Sequence, residues 1–216
     1  MREFARSGTG LAKKFFEEIR PLALFIDKEL HGRSDIQVSP RLGNQNFDGE
    51  IASPDHTLRV EITYAKDGYD ESLRLEELSR EGSVDLLAPI RRVRGRRRSP
   101  NRFVEIEKNV AMRHDKTVEK HLNLVRERVA GKANRQYGPH YALLVVVDDY
   151  VAFRKIRDIE KLDCLVCEEL LTLPLDFQRI VFIGASGGLH RSYALEQIGG
   201  HNVSTEFPQT SERGVR

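Results

Sequence analysis

Apolar and polar positions alternate along the chain in a way that predicts its elements in order. Leu11, Phe15, Ile19 and Leu22 recur at helical spacing, so a first helix is expected over roughly residues 11–30. It should be broken or kinked at Pro21, whose ring removes a donor. "DIQVSPRLG" reads as a first strand. "NFDGEIASPDHTLRVEITYAK", residues 46–66, alternates with period two on either side of a turn signal and reads as a hairpin. "DESLRLEELSREG" is a polar helix ending at Gly82, and "SVDLLAPIRRVRGRRRSPNRFVEIE" alternates as a second hairpin. In "DKTVEKHLNLVRERVAGKANRQYG", Val118, Leu122, Val125 and Val129 share a helical face. "YALLVVVDD" and "QRIVFIGAS" are continuous apolar runs, hence strands buried on both faces, with a helix, "DIEKLDCLVCEELL", between them.

This order is helix, three strands, an insertion, helix, strand, helix, strand. It predicts an α/β domain with a mixed central sheet, an early antiparallel hairpin and flanking helices. One domain is expected over residues 1–200, with an inserted basic hairpin at about 83–107 and a flexible tail at 201–216.

The hairpin's register can be read from its turn. With Pro54 and Asp55 at the centre, Glu50 faces Arg59, Ile51 faces Leu58, and Asp48 falls opposite Glu61. Phe47, Ile51, Leu58, Val60 and Ile62 then form an apolar face, and Asn46, Asp48, Glu50, Arg59, Glu61 and Thr63 a polar one. Two carboxylates directly opposed across strands repel unless something neutralises them. A hard divalent cation such as Mg²⁺ or Mn²⁺ does so with the oxygen ligands it prefers. Arg59 is the bland alternative, and the wet face of an ordinary hairpin has the same composition.

Composition narrows the setting. Charged residues make up 31% of the chain, and no apolar run approaches the ~20 residues that cross a bilayer. No secretory signal is read at the N-terminus, and two cysteines make no disulfide framework, so a cytoplasmic protein is expected. The net charge is only +2, but Arg91, Arg92, Arg94, Arg96, Arg97, Arg98 and Arg102 crowd one segment. Such a run suits several phosphates, and without interleaved aromatics it favours backbone contact over base stacking. DNA is the expected partner; a solvated loop or an acidic protein partner are the alternatives.

A helix, a hairpin carrying Asp48 and then Glu61-Ile62-Thr63, a further helix and a buried strand together resemble the PD-(D/E)XK, or restriction-endonuclease-like, nuclease superfamily over roughly residues 11–150. The resemblance implies a divalent-metal-dependent deoxyribonuclease in which Asp48, Glu61 and the Ile62 carbonyl hold Mg²⁺ or Mn²⁺. Glu18, on the inner side of the first helix by its spacing, would join them. Thr63 stands where the family has a lysine. Lys66, three residues on, is the first candidate for that charge, and Lys116, Lys120 and Lys132 are others. Equally, the resemblance admits a member that has lost catalysis and binds nucleic acid or protein. Homodimers are common among such nucleases.

Other motifs carry less. "GASGG" has the spacing of a nucleophile elbow around Ser186, but only Glu196, Glu206 and His201 remain downstream as partners. Cys164 and Cys167 have no second pair for zinc and read as core thiols on a helix face. His114 and His121 lack a third ligand.

Overall fold

The computed structural model describes residues 14–41, 45–82, 90–93, 103–106 and 113–195, the side chains of 79, 91–93 and 103–106 excepted. Six strands form the main sheet in the order β1-β2-β3-β6-β7-β8: β1 (Gln37–Pro40), β2 (Gly49–Ala52), β3 (Thr57–Tyr64), β6 (Tyr141–Val147), β7 (Arg179–Gly184) and β8 (His190–Ala194). Strands β4 (Ile90–Val93) and β5 (Phe103–Ile106) make a separate antiparallel pair. The helices are α1 (Arg20–Glu29), α2 (Gly68–Glu81), α3 (His114–Ala130) and α4 (Ile156–Glu168). The three central strands β3, β6 and β7 run parallel, and antiparallel pairs flank them. The predicted α/β architecture is thus the observed one, and the inserted hairpin forms. Its tip, with Arg94, Arg96, Arg97, Arg98 and Arg102, lies outside the described residues, as do Leu11 and the tail. Arg91 and Arg92 are placed on β4 by backbone alone.

The sheet separates two cores. Leu22 and Phe25 of α1 pack with Ile51, Leu58, Val60, Leu144 and Ile183 on one face. Val118, Val125 and Val129 of α3 pack with Leu162 and Val166 of α4 and with Leu143, Val145 and Phe182 on the other. Every residue of β6 is buried, which is why its sequence shows no alternation. Strand β8, "HRSYA", was not anticipated; an edge strand with a half-exposed, polar pattern leaves no apolar period to read. The thiols of Cys164 and Cys167, expected in the core, are both exposed on α4.

The first helix departs from its expected phase. Residues Phe15–Ile19 form a π-helical turn, with Arg20 N–H bonded to the Phe15 carbonyl. The wider turn rotates what precedes it, so Phe15 is 49% exposed rather than on the buried stripe. In this register the Phe16 carbonyl would look to the N–H of residue 21, which is proline. The Tyr64 hydroxyl donates to it instead, at 2.5 Å, and ties the turn to the end of β3.

The turn at Pro54-Asp55 and the ladder from Ala52↔Thr57 to Gly49↔Val60 follow the predicted register. There the register breaks. Asp48 N–H donates to the Val60 carbonyl at 2.8 Å although Gly49 is already Val60's partner. Two consecutive residues addressing one is a β-bulge, which reverses the side-chain alternation beyond it. Phe47 therefore crosses to the other face, where its ring meets Tyr141 edge-on at 6.0 Å. Gly49 is the residue the bulge needs beside α1, because a Cβ there would stand 2.7 Å from Leu22 Cδ2.

Gly184 closes β7 under a similar constraint. A Cβ at Gly184 would lie 2.0 Å from Asp149 Oδ2. The Asp149 carboxylate cannot swing clear, since it accepts the N–H groups of Ser186 (2.7 Å) and Leu189 (3.3 Å). Gly184→Ala is expected to lower stability by about 2–3 kcal/mol in urea denaturation. Gly68→Ala, where nothing approaches within 4 Å, should cost nothing measurable.

Candidate functional site

The bulge decides where Asp48 points. Its N–H is taken by Val60 and its carbonyl accepts Arg41 N–H at 2.8 Å, so its backbone is fixed on both sides. Its side chain then occupies the edge of β3 where β2 would have continued, and Oδ2 accepts the Ile62 N–H at 2.7 Å. That N–H would otherwise belong to the sheet ladder. Asp48 is thus not directly opposite Glu61 as the register predicted, although its charge still raises the Glu61 carboxyl.

Glu61 projects from β3 toward α3. Lys132 Nζ donates to its Oε1 at 2.5 Å, and both side chains are largely withdrawn from water, at 16% and 13% exposure. Lys132 lies just beyond α3 rather than on it. The helix stops at Ala130, a tight bond from Lys132 N–H to the Val129 carbonyl closes the last turn, and Asn134 takes a left-handed conformation (φ 60°). That turn sets Lys132 over the middle of β3.

Burial pushes both carboxyls above the usual carboxylate range. For Asp48 the Ile62 N–H and the charges of Lys132 and Lys14 draw part of that shift back. For Glu61 the Lys132 hydrogen bond and charge draw it back, while Asp48 pushes it further up. Lys132 is in contact with Glu61, and Lys14 and Arg135 act by charge alone, yet both carboxyls stay raised; desolvated oxygen donors in that state suit a hard divalent cation.

The other predicted residues fall elsewhere. Lys66 pairs with Glu17 at 3.0 Å and lies over the Tyr64 ring. Lys120 pairs with Asp70 at 2.7 Å, and Lys116 lines a groove of about 630 Å³ between the start of α2 and α3. Glu18 sits half-buried on the π turn. Among the described residues no group of three or more His, Cys, Asp or Glu side chains gathers as a metal cage. Ser186 donates to Asp149 and is not in a left-handed conformation; only Gly187 in that turn has positive φ. Glu196, His201 and Glu206 lie outside the described residues. His114 bonds Asp158 at 2.8 Å, joining α3 to α4, and burial holds His121 below the ordinary histidine range.

A carboxyl whose pKa is raised by folding binds its proton more tightly in the folded chain. Its unfavourable effect is full above the folded value and fades as pH falls toward the unfolded one. Asp48→Asn should therefore stabilise the protein near neutral pH, and the gain should shrink as the pH is lowered through the raised folded value toward the unfolded one, as urea denaturation across an acid pH series would reveal. Lys132→Met should push both carboxyls further up, visible in their ¹³C chemical-shift titrations.

Compared with known protein families, curated proteins and solved structures, the chain gives no match. What can be said of its chemistry comes from the bulge and the groups around it.

Proposed function

We propose that the chain is a divalent-metal-dependent nuclease that hydrolyses DNA phosphodiester bonds, with Asp48 and Glu61 as its acids and Lys132 in place of the lysine that Thr63 lacks. One observation carries this reading: a desolvated Asp–Glu pair at a bulged sheet edge, with a lysine from a distant segment laid across it. Asp48, Glu61 and the Ile62 carbonyl would hold Mg²⁺ or Mn²⁺, which when bound polarises a phosphate and acidifies a water. Asp48 is held in place by the Ile62 N–H. The Lys132 ammonium orients the attacking water and offsets the negative charge that builds on the phosphate. The arginines of the inserted hairpin would add further phosphate contacts.

The alternative within the same fold is a module that binds nucleic acid without cutting it. The Lys132–Glu61 ion pair favours it to this extent: one acid already has a counter-charge. Among the described residues no helix is long and apolar enough to cross a membrane. A reducing cytoplasm goes with either reading, and Cys164 and Cys167 as exposed free thiols accord with it.

Plasmid cleavage in Mg²⁺ should vanish in Asp48→Ala and Glu61→Ala and fall at least about a hundredfold in Lys132→Ala. Lys66→Ala should stay within about threefold of wild type, since its partner is Glu17. Calorimetric Mn²⁺ binding should be lost in the two acid variants and kept in Lys132→Ala. DNA binding without cleavage or metal binding in the wild type would replace the nuclease with the binding module.

A further inference from the structure

Beside the acid pair lies a second assembly that the motif does not account for. Arg59 stands two residues before Glu61 on the same face of β3; their β6 partners are Tyr141 and Leu143. The Arg59 guanidinium lies over the rings of both Phe47 (5.4 Å) and Tyr141 (5.6 Å). Arg41 reaches the Phe47 ring as well, at 5.9 Å. Glu50 binds the two together, accepting from Arg41 Nη2 at 2.8 Å and lying 3.6 Å from Arg59 Nε. One carboxylate against two guanidinium groups leaves a surplus positive charge. Both arginines remain substantially exposed, at 39% and 45%.

Stacking on aromatic faces holds a guanidinium flat and limits its rotamers, so less freedom is lost when it binds an anion. Arg59 holds Glu50 only at ion-pair distance, and Arg41 spends one Nη2 donor on it while its Nε is buried. The remaining terminal N–H groups of these two part-exposed guanidinium groups are the donors left for a ligand. Phosphate oxygens match this fork of donors bidentately. Arginines lie over both rings, which favours a phosphate over a stacked base as the group they meet.

We propose that Arg41 and Arg59, braced by Phe47, Tyr141 and Glu50, clamp the DNA phosphate that flanks the scissile one. The proposal rests on the nuclease reading for the identity of its ligand. Two residues along a strand span ~7 Å, roughly the through-space separation of neighbouring phosphates, which exceeds the ~3.4 Å axial rise because the strand also winds around the axis. The clamp thus holds the backbone one nucleotide from the acids. It reads phosphate rather than base, so it adds affinity and register without sequence preference.

The test uses the full chain carrying Asp48→Asn, with a short fluorescein-labelled DNA duplex titrated by anisotropy over a salt series. Arg41→Gln with Arg59→Gln should weaken binding about tenfold to a hundredfold and make log Kd against log salt shallower by about one to two. Arg41→Lys with Arg59→Lys should retain the slope but not the full affinity, because charge returns without the bidentate fork. Unchanged affinity and slope in the glutamine pair would overturn the clamp. If that pair fails to fold by circular dichroism, lysine variants binding within twofold of the arginine protein would overturn it. A chain that never cuts DNA but loses binding in the glutamine pair keeps the clamp and loses the nuclease. One that cuts but binds unchanged keeps the nuclease and loses the clamp.

Discussion

The Val60 carbonyl accepts the Asp48 N–H while Val60 itself is laddered to Gly49, and most of the site follows from that doubling. It ends β2 as a regular strand and frees the Ile62 N–H for a carboxylate. It also carries Phe47 across the sheet to the rings and arginines on the Glu61 side. A ladder without the extra residue would place a backbone carbonyl where Asp48 now sits. The bulge is possible because residue 49 has no side chain to meet Leu22. A packing constraint on one face of the sheet thereby fixes the chemistry at its edge.

Electrostatically the edge is a balance of partial compensations. Asp48 is served by one N–H and two ammonium groups, and Glu61 by Lys132 with the charge of Arg135 beyond it. Neither returns to the ordinary carboxylate range, since water removed by burial is not fully replaced. By contrast Glu29, at the end of α1, is held below that range: burial raises it, but His190 and Arg179 together outweigh the effect. Two part-buried glutamates thus sit on opposite sides of their usual value. The difference follows their other neighbours: Glu29 has a Ser192 hydrogen bond besides its two cations, whereas Glu61 has the Asp48 carboxylate pushing the other way.

Much of this was legible in the residues. The apolar runs of β6 and β7 declared strands buried on both faces, and the Pro54-Asp55 turn set the hairpin ladder as far as Gly49. Asp48 and Glu61 could be singled out because two acids near each other on paired strands require an explanation. The bulge could not be read, because Asp48-Gly49 looks the same in sequence with or without one extra residue in register. Lys132 was one candidate among several: which lysine reaches Glu61 depends on how α3 lies across the sheet and where it stops. The exposure of Cys164 and Cys167 was missed because an amphipathic helix read without its partners does not show which face is covered. The π turn was hidden for a related reason, since apolar spacing assumes the very pitch that Pro21 alters.

Strand β2 is half the length of β3, four residues against eight, so Glu61 through Tyr64 have no strand beside them on that side. The bulge closes one end of this notch, and the π turn, held by Tyr64, closes the other. Over these four residues, ~13 Å of strand, the margin of β3 is finished by side chains rather than by a neighbouring strand: the Asp48 carboxylate takes the Ile62 N–H, and Tyr64 fastens its end to the Phe16 carbonyl. The sheet is thereby spared a bare edge, and the groups that hold the site together are also the ones that keep this margin from pairing with another chain.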